Sequence, residues 1–221
     1  KLSDIKNDFI NNMTHELKTP ISTIGLAVDM AMEKSTAVPG REGVARYMEI
    51  IGTENRRLGV QVERVLQMAQ MEKGSLELKR EVVNVHDLIE KVLNNLSVQL
   101  ERRNGDLTLN YQAGFENVNG DPVHLTNVVY NLVDNAIKYS PDALKLDIST
   151  ENLDNGIAIS VSDSGIGLSR EQIGRIFENF YRVPTGNRHD VKGFGLGLSY
   201  VKKIVEAHGG SVSVRRKKGE G

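Results

Sequence analysis

The sequence predicts a helical first part followed by an α/β sandwich with a mixed sheet. Up to about residue 73, apolar residues recur at three- and four-residue spacings, the period of an amphipathic helix. After Gly74, short strand-like runs alternate with helical segments, and two of these runs flank an Asn-Leu-Asp-Asn-Gly turn typical of a β-hairpin. We therefore expect two domains, residues 1–73 and residues 74–221.

The composition narrows the possible functions. The chain has 221 residues, with 28 Lys and Arg against 29 Asp and Glu and a net charge of −1, so it lacks the basic surplus typical of nucleic-acid-binding proteins. It contains no Cys, which excludes disulfides and thiolate metal sites. No apolar run reaches the roughly 18 residues needed to span a membrane. Because the sequence starts at Lys1 without a signal-peptide pattern, we expect a fragment of a longer protein.

The first part is expected to be a pair of long helices. A helix over Asp4–Lys34 would be about 45 Å long, and residues 34–43, which include Pro39 and Gly40, interrupt the pattern. A second helix then runs up to Gly74. An antiparallel hairpin cannot bury both apolar stripes by itself, so we expect a second copy of the chain to complete a four-helix bundle.

The second part contains the elements of a mixed sheet covered by helices. The expected strands are Leu76–Leu78, Val82–Val85, Leu107–Tyr111, Leu144–Thr150, Ile157–Ser162 and Ser211–Val214. The expected helices are His86–Arg103, Pro122–Tyr139, Arg170–Phe180 and Phe194–His208. Seven of the 21 glycines fall between Gly165 and Gly197, which indicates an active-site loop.

One candidate site lies on the first helix, in residues 9–20. In a heptad that places the apolar residues at the seam, His15 occupies the outermost position, where it has no packing role. Glu16 beside it can accept or relay a proton, and Pro20 removes a helical hydrogen bond just after the pair. A lone exposed His is usually only a solvated side chain, so the interest of His15 depends on these neighbours.

A second candidate lies on the helix expected at Pro122–Tyr139. Asn131 and Asn135 are four residues apart and share one helical face, with Lys138 one turn further on. Neutral amide oxygens can ligate Mg²⁺ without adding charge beside a triphosphate, and Lys supplies a counter-charge. The alternative is an ordinary amphipathic helix whose Asn side chains cap or pair.

Two glycine-rich segments complete the set. Residues 163–167 follow a strand and place the Asp163 carboxylate where it can accept a hydrogen bond from the exocyclic amine of adenine. Such a segment is, however, commonly only a turn. Residues 193–198 open a helix whose backbone N–H groups can cradle phosphates. Between them, residues 183–192 have the composition of a mobile lid. For the other histidines, among them His86, His124 and His208, the sequence predicts no functional role.

The order of these motifs carries more information than any one of them. In chain order, the Asn-containing helix, residues 163–167, the Phe-containing residues 177–182 and residues 193–198 resemble the N-box, G1, F-box and G2 motifs of the Bergerat (GHKL) ATPase fold. Residues 9–20 resemble the H-box of sensor histidine kinases. The resemblance covers essentially the whole chain. It implies ATP and Mg²⁺ as cofactors, a homodimer, a response regulator receiver domain as partner, and the cytoplasmic portion of a membrane-anchored bacterial sensor whose sensor region is absent here.

The resemblance also implies roles for single residues in phosphoryl transfer. His15 would be the phosphoacceptor, attacking the γ-phosphorus of ATP through a neutral imidazole nitrogen. Glu16 would be the general base for the proton on the other ring nitrogen. Thr19 completes a Glu-x-x-Thr pattern and would orient water in a possible phosphatase reaction toward the regulator; its alternative is a surface Thr before Pro20.

Further residues are implied at the nucleotide. Asn131 and Asn135 would hold Mg²⁺ and phosphates, with Lys138 at a phosphate and Arg182 at the γ-phosphate. The groups expected at the adenine, nucleoside and lid are Tyr139, Asp163, Gly165, Gly167, Gly193, Gly195, Gly197 and Leu198.

Two other functions stay open from the sequence. One is a dimeric docking module that binds nucleotide without kinase activity, against which the intact His15 and Glu16 argue. The other is an ATP-hydrolysing conformational machine of the Hsp90 or gyrase type, which predicts a carboxylate where Asn131 stands. Incubation with γ-labelled ATP would separate these possibilities.

Overall fold

The structure, a computed structural model, describes residues 2–37, 41–72, 76–103, 105–140, 144–183 and 195–215. The chain divides into two compact units with a boundary after Leu76, and Gly195 and Leu196 are grouped with the first unit. Each unit is described by itself below. The expected lid lies outside the described residues except for Val183.

The first unit consists of two long helices that pack against each other, α1 (Leu2–Ala37) and α2 (Arg41–Glu72). Helix α1 continues through Pro20, which is buried. The Thr23 hydroxyl donates a hydrogen bond of 3.0 Å to the Thr19 carbonyl in the turn after this proline. The expectation of a helical N-terminal part is confirmed.

The second unit is an α/β sandwich. Its elements are β1 (Glu81–Asn84), α3 (Val85–Arg102), β2 (Asp106–Tyr111), β3 (Asn117–Gly120), α4 (Pro122–Tyr139), β4 (Lys145–Leu153), β5 (Gly156–Asp163), α5 (Arg170–Ile173) and α6 (Gly197–Ala207). Strands β2, β4 and β5 form one sheet in that order, with β2 parallel and β5 antiparallel to β4. This confirms the mixed sheet, and the hairpin turns through two residues because Leu153 pairs with Gly156.

The core of this unit lies between the helices α3 and α4 and the sheet. Side chains of β4 alternate, so that Leu146 and Ile148 are fully buried while Lys145 and Asp147 are exposed. They pack in one apolar cluster with Ile89 and Val92 of α3 and with residues of α4. Helix α4 also packs against α6 and β5, so it contacts most of the unit. This central position makes α4 a rigid support for a site.

Several expected elements differ from the structure. Residues 76–78 and 211–214 are not strands, because they pair with no other strand among the described residues. Strand β3, antiparallel to β1, was not expected, since its four residues contain one apolar side chain, Val118. The helix expected over Arg170–Phe180 ends at Ile173, where Gly174 forms its C-cap.

Candidate functional site

The start of α4 is fixed by its N-cap. The Asp121 carboxylate, 5% exposed, accepts hydrogen bonds from the backbone N–H groups of Val123, His124 and Lys79, at 2.8–3.1 Å. Burial by itself raises the pKa of Asp121, but the hydrogen bonds from His124, Lys79 and Val123 outweigh it and hold the pKa below its ordinary value. The cap, followed by Pro122, explains why the sequence pattern predicted this boundary correctly.

One face of α4 presents Asn131 toward the start of α6. The Asn131 side-chain nitrogen donates to the Asn127 carbonyl at 2.7 Å, which leaves the amide oxygen pointing away from the helix. A Cβ on Gly197, the first residue of α6, would lie 3.0 Å from that oxygen. The close approach of α6 at this point therefore favours glycine. Asn135, half-buried, lies one turn further along α4.

Lys138 has a partner that the sequence analysis missed. Its ammonium lies 2.6 Å from the Asp134 carboxylate, one turn earlier on α4, and Asp134 is buried. An expected phosphate ligand is thus held by a neighbouring carboxylate, and a phosphate would have to share its ammonium with Asp134. The signal was present in the sequence, since Asp followed by Lys four residues later is a stabilising helical pair.

At the end of β5, three of the expected residues come together. The Gly165 N–H donates to Asp163 Oδ1 at 2.8 Å, and the next residue, Ile166, donates its N–H to the Tyr139 carbonyl at 3.0 Å. A Cβ on Gly165 would lie 2.5 Å from Asp163 Oδ1 and 2.8 Å from the Tyr139 carbonyl oxygen. Only glycine fits here, and the segment closes against the last residue of α4 with Asp163 Oδ2 remaining as an acceptor. Gly167 has a φ of 67°, a conformation that also favours glycine.

The segment after α5 contains two arginines, Arg175 and Arg182. Burial raises the pKa of the Tyr139 hydroxyl, and the positive charge of the Arg182 guanidinium acts in the opposite direction. Arg175 lies over the Tyr181 ring, 4.4 Å from its centre. Phe180 has a φ of 69°, which is rare for a residue with a side chain.

The remaining expected residues are placed less completely. His15 and Glu16 belong to α1, but their side chains lie outside the described ones, as does Gly193. Thr19 is exposed on α1. Gly195 has a φ of 69°, and Leu198 is the second residue of α6.

The donor set suits magnesium bound through oxygen. Among the described residues, no group of three or more His, Cys, Asp or Glu side chains is arranged to hold a metal ion. Amide oxygens such as those of Asn131 and Asn135 are hard ligands, and Mg²⁺ usually takes only one or two protein groups together with substrate phosphates. These two residues therefore fit a magnesium ion that arrives with a nucleotide.

None of the helices described here has the length and apolar character needed to cross a membrane.

Fold and site together define a class, an ATP-binding α/β domain of the Bergerat type that follows a two-helix domain. Two family models match these parts. The His Kinase A (phospho-acceptor) domain matches residues 5–74, and the histidine kinase-, DNA gyrase B- and HSP90-like ATPase matches residues 120–221. The chain belongs to the sensor histidine kinases and contains the phosphoacceptor and ATPase domains of their kinase core.

Named relatives agree with this assignment. The Sensor protein RprX of Bacteroides fragilis is 46% identical over 215 residues, which are 96% of this chain and 41% of the relative. The Sensor protein SrrB of Staphylococcus aureus is 29% identical over 220 residues, 37% of its length. The chain thus spans less than half the length of these curated relatives.

Two solved structures show the same architecture. The Acinetobacter baumannii histidine kinase AdeS superposes with a TM-score of 0.63 at 25% identity, over 87% of this chain and 86% of that chain. The histidine kinase ThkA, in complex with the response regulator protein TrrA, has a TM-score of 0.63 at 25% identity and covers 97% of this chain and 59% of that chain.

Proposed function

We propose that the chain phosphorylates His15 with ATP and passes the phosphoryl group to an aspartate in the receiver domain of a response regulator. The observation that carries this proposal is the pair of sites at the two ends of one helical face. Tyr139 lies beside Gly165 and Asp163, whereas Asn131 lies beside Gly197, about 12 Å away along α4 at 1.5 Å per residue. That distance suits an extended nucleotide, with its base at Asp163 and its phosphates at Asn131.

The two ends of this face bind different parts of the nucleotide. Asp163 Oδ2 accepts a hydrogen bond from the exocyclic amine of adenine. Gly165 and Gly167, which lack side chains, leave room for the base, and Tyr139 contacts the nucleoside. The amide oxygens of Asn131 and Asn135 would hold Mg²⁺, which would neutralise charge at the phosphates. Lys138, next to Tyr139 on α4, and Arg182 would extend positive charge toward the phosphates, and the glycine segment that ends at Gly197, with Leu198 following, lets backbone approach them.

The transfer step uses residues of α1. A neutral imidazole nitrogen of His15 attacks the γ-phosphorus in line, the bond to the β–γ bridging oxygen breaks, and ADP leaves. Glu16 takes the proton from the other ring nitrogen, so the phosphohistidine forms without a net charge on the ring beyond that of the phosphoryl group. The phosphoryl group then moves to a receiver carboxylate. Thr19, exposed on α1, is the residue that would orient water for dephosphorylation of the regulator.

The relatives support the wider setting of this reaction. RprX is named a sensor protein, and ThkA was solved with a response regulator, which supports a receiver domain as the partner. A homodimer is supported by the match of the phosphoacceptor domain and by the apolar side chains that α1 exposes. Attachment to a membrane through a sensor region, and with it a cytoplasmic location, stay predictions.

Incubation with γ-labelled ATP tests the proposal. We expect label on the protein that is stable in base and labile in acid, and its complete loss in His15→Gln. Binding of magnesium AMP-PNP to the variant is the control, because the substitution leaves the nucleotide site unchanged. Normal AMP-PNP binding by the unmodified chain without any label would instead indicate a docking module. Steady release of phosphate without a phosphoprotein would indicate an ATP-hydrolysing machine.

A further inference from the structure

Helix α6 is attached to α4 by a buried polar contact one turn after its start. Tyr200 is 7% exposed, and its hydroxyl oxygen lies 2.8 Å from Nδ1 of His124 and 3.5 Å from the side-chain nitrogen of Asn127. The two rings are 6.2 Å apart and tilted by 43°. All three residues belong to the α/β unit, and 76 residues separate His124 from Tyr200.

The contact continues directly to the phosphate end of the site. Asn127 donates its side-chain N–H to Tyr200, and its backbone carbonyl accepts the hydrogen bond that orients the Asn131 amide. Gly197, three residues before Tyr200, lies against the Asn131 amide oxygen. The position of α6 along α4 therefore fixes how closely the glycine backbone approaches Asn131.

The protonation state and the partners of the Tyr200 hydroxyl suit a stable hydrogen-bonded contact between α6 and α4. Burial raises the pKa of Tyr200 to about 12, a rise that the Asn127 hydrogen bond partly offsets and Asp121 reinforces. The hydroxyl is therefore protonated at physiological pH. It accepts from Asn127 and can donate to Nδ1 of a neutral His124, so that both of its functions are used. A buried hydroxyl with such partners favours one separation between two helices over others.

We infer that Tyr200, through His124 and Asn127, is a positioning residue that holds the start of α6 against Asn131 and thereby sets the affinity for the phosphates of the nucleotide. This inference rests on the proposed function, because it assigns the Asn131 end of α4 to phosphates and the Asp163 end to adenine. It predicts an experimental result that general stabilisation of the fold does not predict. Loss of the hydroxyl must weaken binding of the triphosphate and leave recognition of the base unchanged.

Tyr200→Phe tests the inference, with Tyr111→Phe as a matched control. Both changes remove one buried hydroxyl from a tyrosine of the α/β unit, but the Tyr111 hydroxyl has no hydrogen-bond partner among the described residues. In calorimetric titrations we expect Tyr200→Phe to bind magnesium AMP-PNP about fivefold more weakly, the effect of one net hydrogen bond. Binding of AMP, followed by nuclear magnetic resonance, should be unchanged. Tyr111→Phe should bind both ligands as the unmodified chain does.

A second variant, His124→Phe, keeps a ring at the position and removes its nitrogen acceptor. Alone it should weaken AMP-PNP binding as Tyr200→Phe does, and the double variant should lose no more than either single one, because the two groups act as a unit. Equal loss of AMP and AMP-PNP binding, additive losses, or unchanged AMP-PNP binding by Tyr200→Phe would each overturn the inference. If the unmodified chain bound no AMP-PNP, the proposed function itself would be wrong, and the inference would fall with it.

Discussion

The two units of the chain bury their large apolar side chains to different extents. In the α/β unit many large apolar side chains, such as Ile89, Leu146 and Ile204, are fully buried, although Phe115 and Val82 are exposed. In the helical unit, the described side chains that are buried are Pro20, Ala27 and Ala31, while the larger apolar residues are half-buried or exposed. Among the exposed residues of α1 are Ile21, Leu26, Val28, Met30 and Met32.

This difference indicates where each unit obtains its stability. The α/β unit closes its own core, so its nucleotide site can be rigid within a single chain. The helical unit keeps apolar surface available for another molecule, and Ile21, Val28 and Met32 follow the spacing of one helical face. The α/β unit is thus stabilised by its own folding, whereas the helical unit gains stability from association with another molecule. The predictions below separate the two.

The largest effect is expected from a charge placed on the exposed α1 face. Val28→Glu should convert a dimer into a monomer, because burying an unpaired carboxylate in an interface costs about 3–5 kcal/mol and a symmetric dimer buries two. Light scattering coupled to size-exclusion chromatography measures the mass. Ser22→Glu adds the same charge at an exposed polar position of α1 and should leave the mass unchanged. AMP-PNP binding should be the same in both variants, and a dimer that survives Val28→Glu would contradict the assignment of this face.

The next effect concerns the end of the α/β site at which we propose that adenine binds. Asp163→Asn retains an oxygen for the Gly165 N–H but replaces the other acceptor with a donor that faces the adenine amine. We expect AMP-PNP binding to weaken about 30- to 100-fold, the loss of a charge-assisted hydrogen bond. Isothermal titration calorimetry measures it. Asp147→Asn, the same change at an exposed position of the neighbouring strand, should have no such effect. Binding by Asp163→Asn within twofold of the unmodified chain would argue against Asp163 as the adenine acceptor.

A smaller effect is expected from filling the close approach at Gly165. In Gly165→Ala the new methyl group meets a carboxylate oxygen at 2.5 Å and the Tyr139 carbonyl at 2.8 Å. The local backbone must shift, at a cost of about 1–3 kcal/mol in unfolding free energy. Gly156→Ala is the control, because nothing lies within 4 Å of its Cβ position. Urea denaturation compares the two, and equal stabilities would show that the segment is looser than the structure indicates.

The smallest effect depends on pH. Asp121→Ala removes the N-cap of α4 and should lower the unfolding free energy by about 1 kcal/mol at pH 7. The pKa of Asp121 is lowered in the folded state, so its contribution is present above the unfolded pKa of about 3.9 and lost as the pH falls through the folded value. The difference from the unmodified chain should therefore be constant between pH 7 and pH 5 and shrink below about pH 4. Asp106→Ala, an exposed control, should show no such dependence, and a difference that grows on acidification would contradict the prediction.

Local signals predicted α4 and the hairpin well. Asp121 and Pro122 mark the start of α4 at the sequence level, and the turn at Asp154 and Asn155 is compatible with only a short hairpin loop. Strand β3 escaped prediction because its extended form depends on pairing with β1, more than 30 residues earlier. Its residues have little strand preference of their own.

The arrangement of the candidate-site residues within the fold was predictable to the same degree. The sequence indicated the residue types and their spacing on α4, since a helical face depends on spacing alone. The same spacing also indicated the pair of Asp134 with Lys138, which the prediction overlooked, but nothing in the sequence indicated that Tyr200 contacts His124. The second of these contacts depends on how two helices pack, which spacing within either helix does not determine.

The parallel pairing of β2 with β4 has a consequence for how the domain is made. Asp106 pairs with Lys145, so β2 is synthesised well before its partner and has α4 between them. The β4–β5 hairpin closes through two residues and can form within microseconds of its synthesis, whereas β2 must wait for a long loop to close. Until then Leu107 and Leu109, which stay partly exposed even in the folded domain, have no strand beside them. We expect the nascent chain to be most prone to aggregation and most in need of chaperones during this interval, after β2 has left the ribosome and before β4 follows.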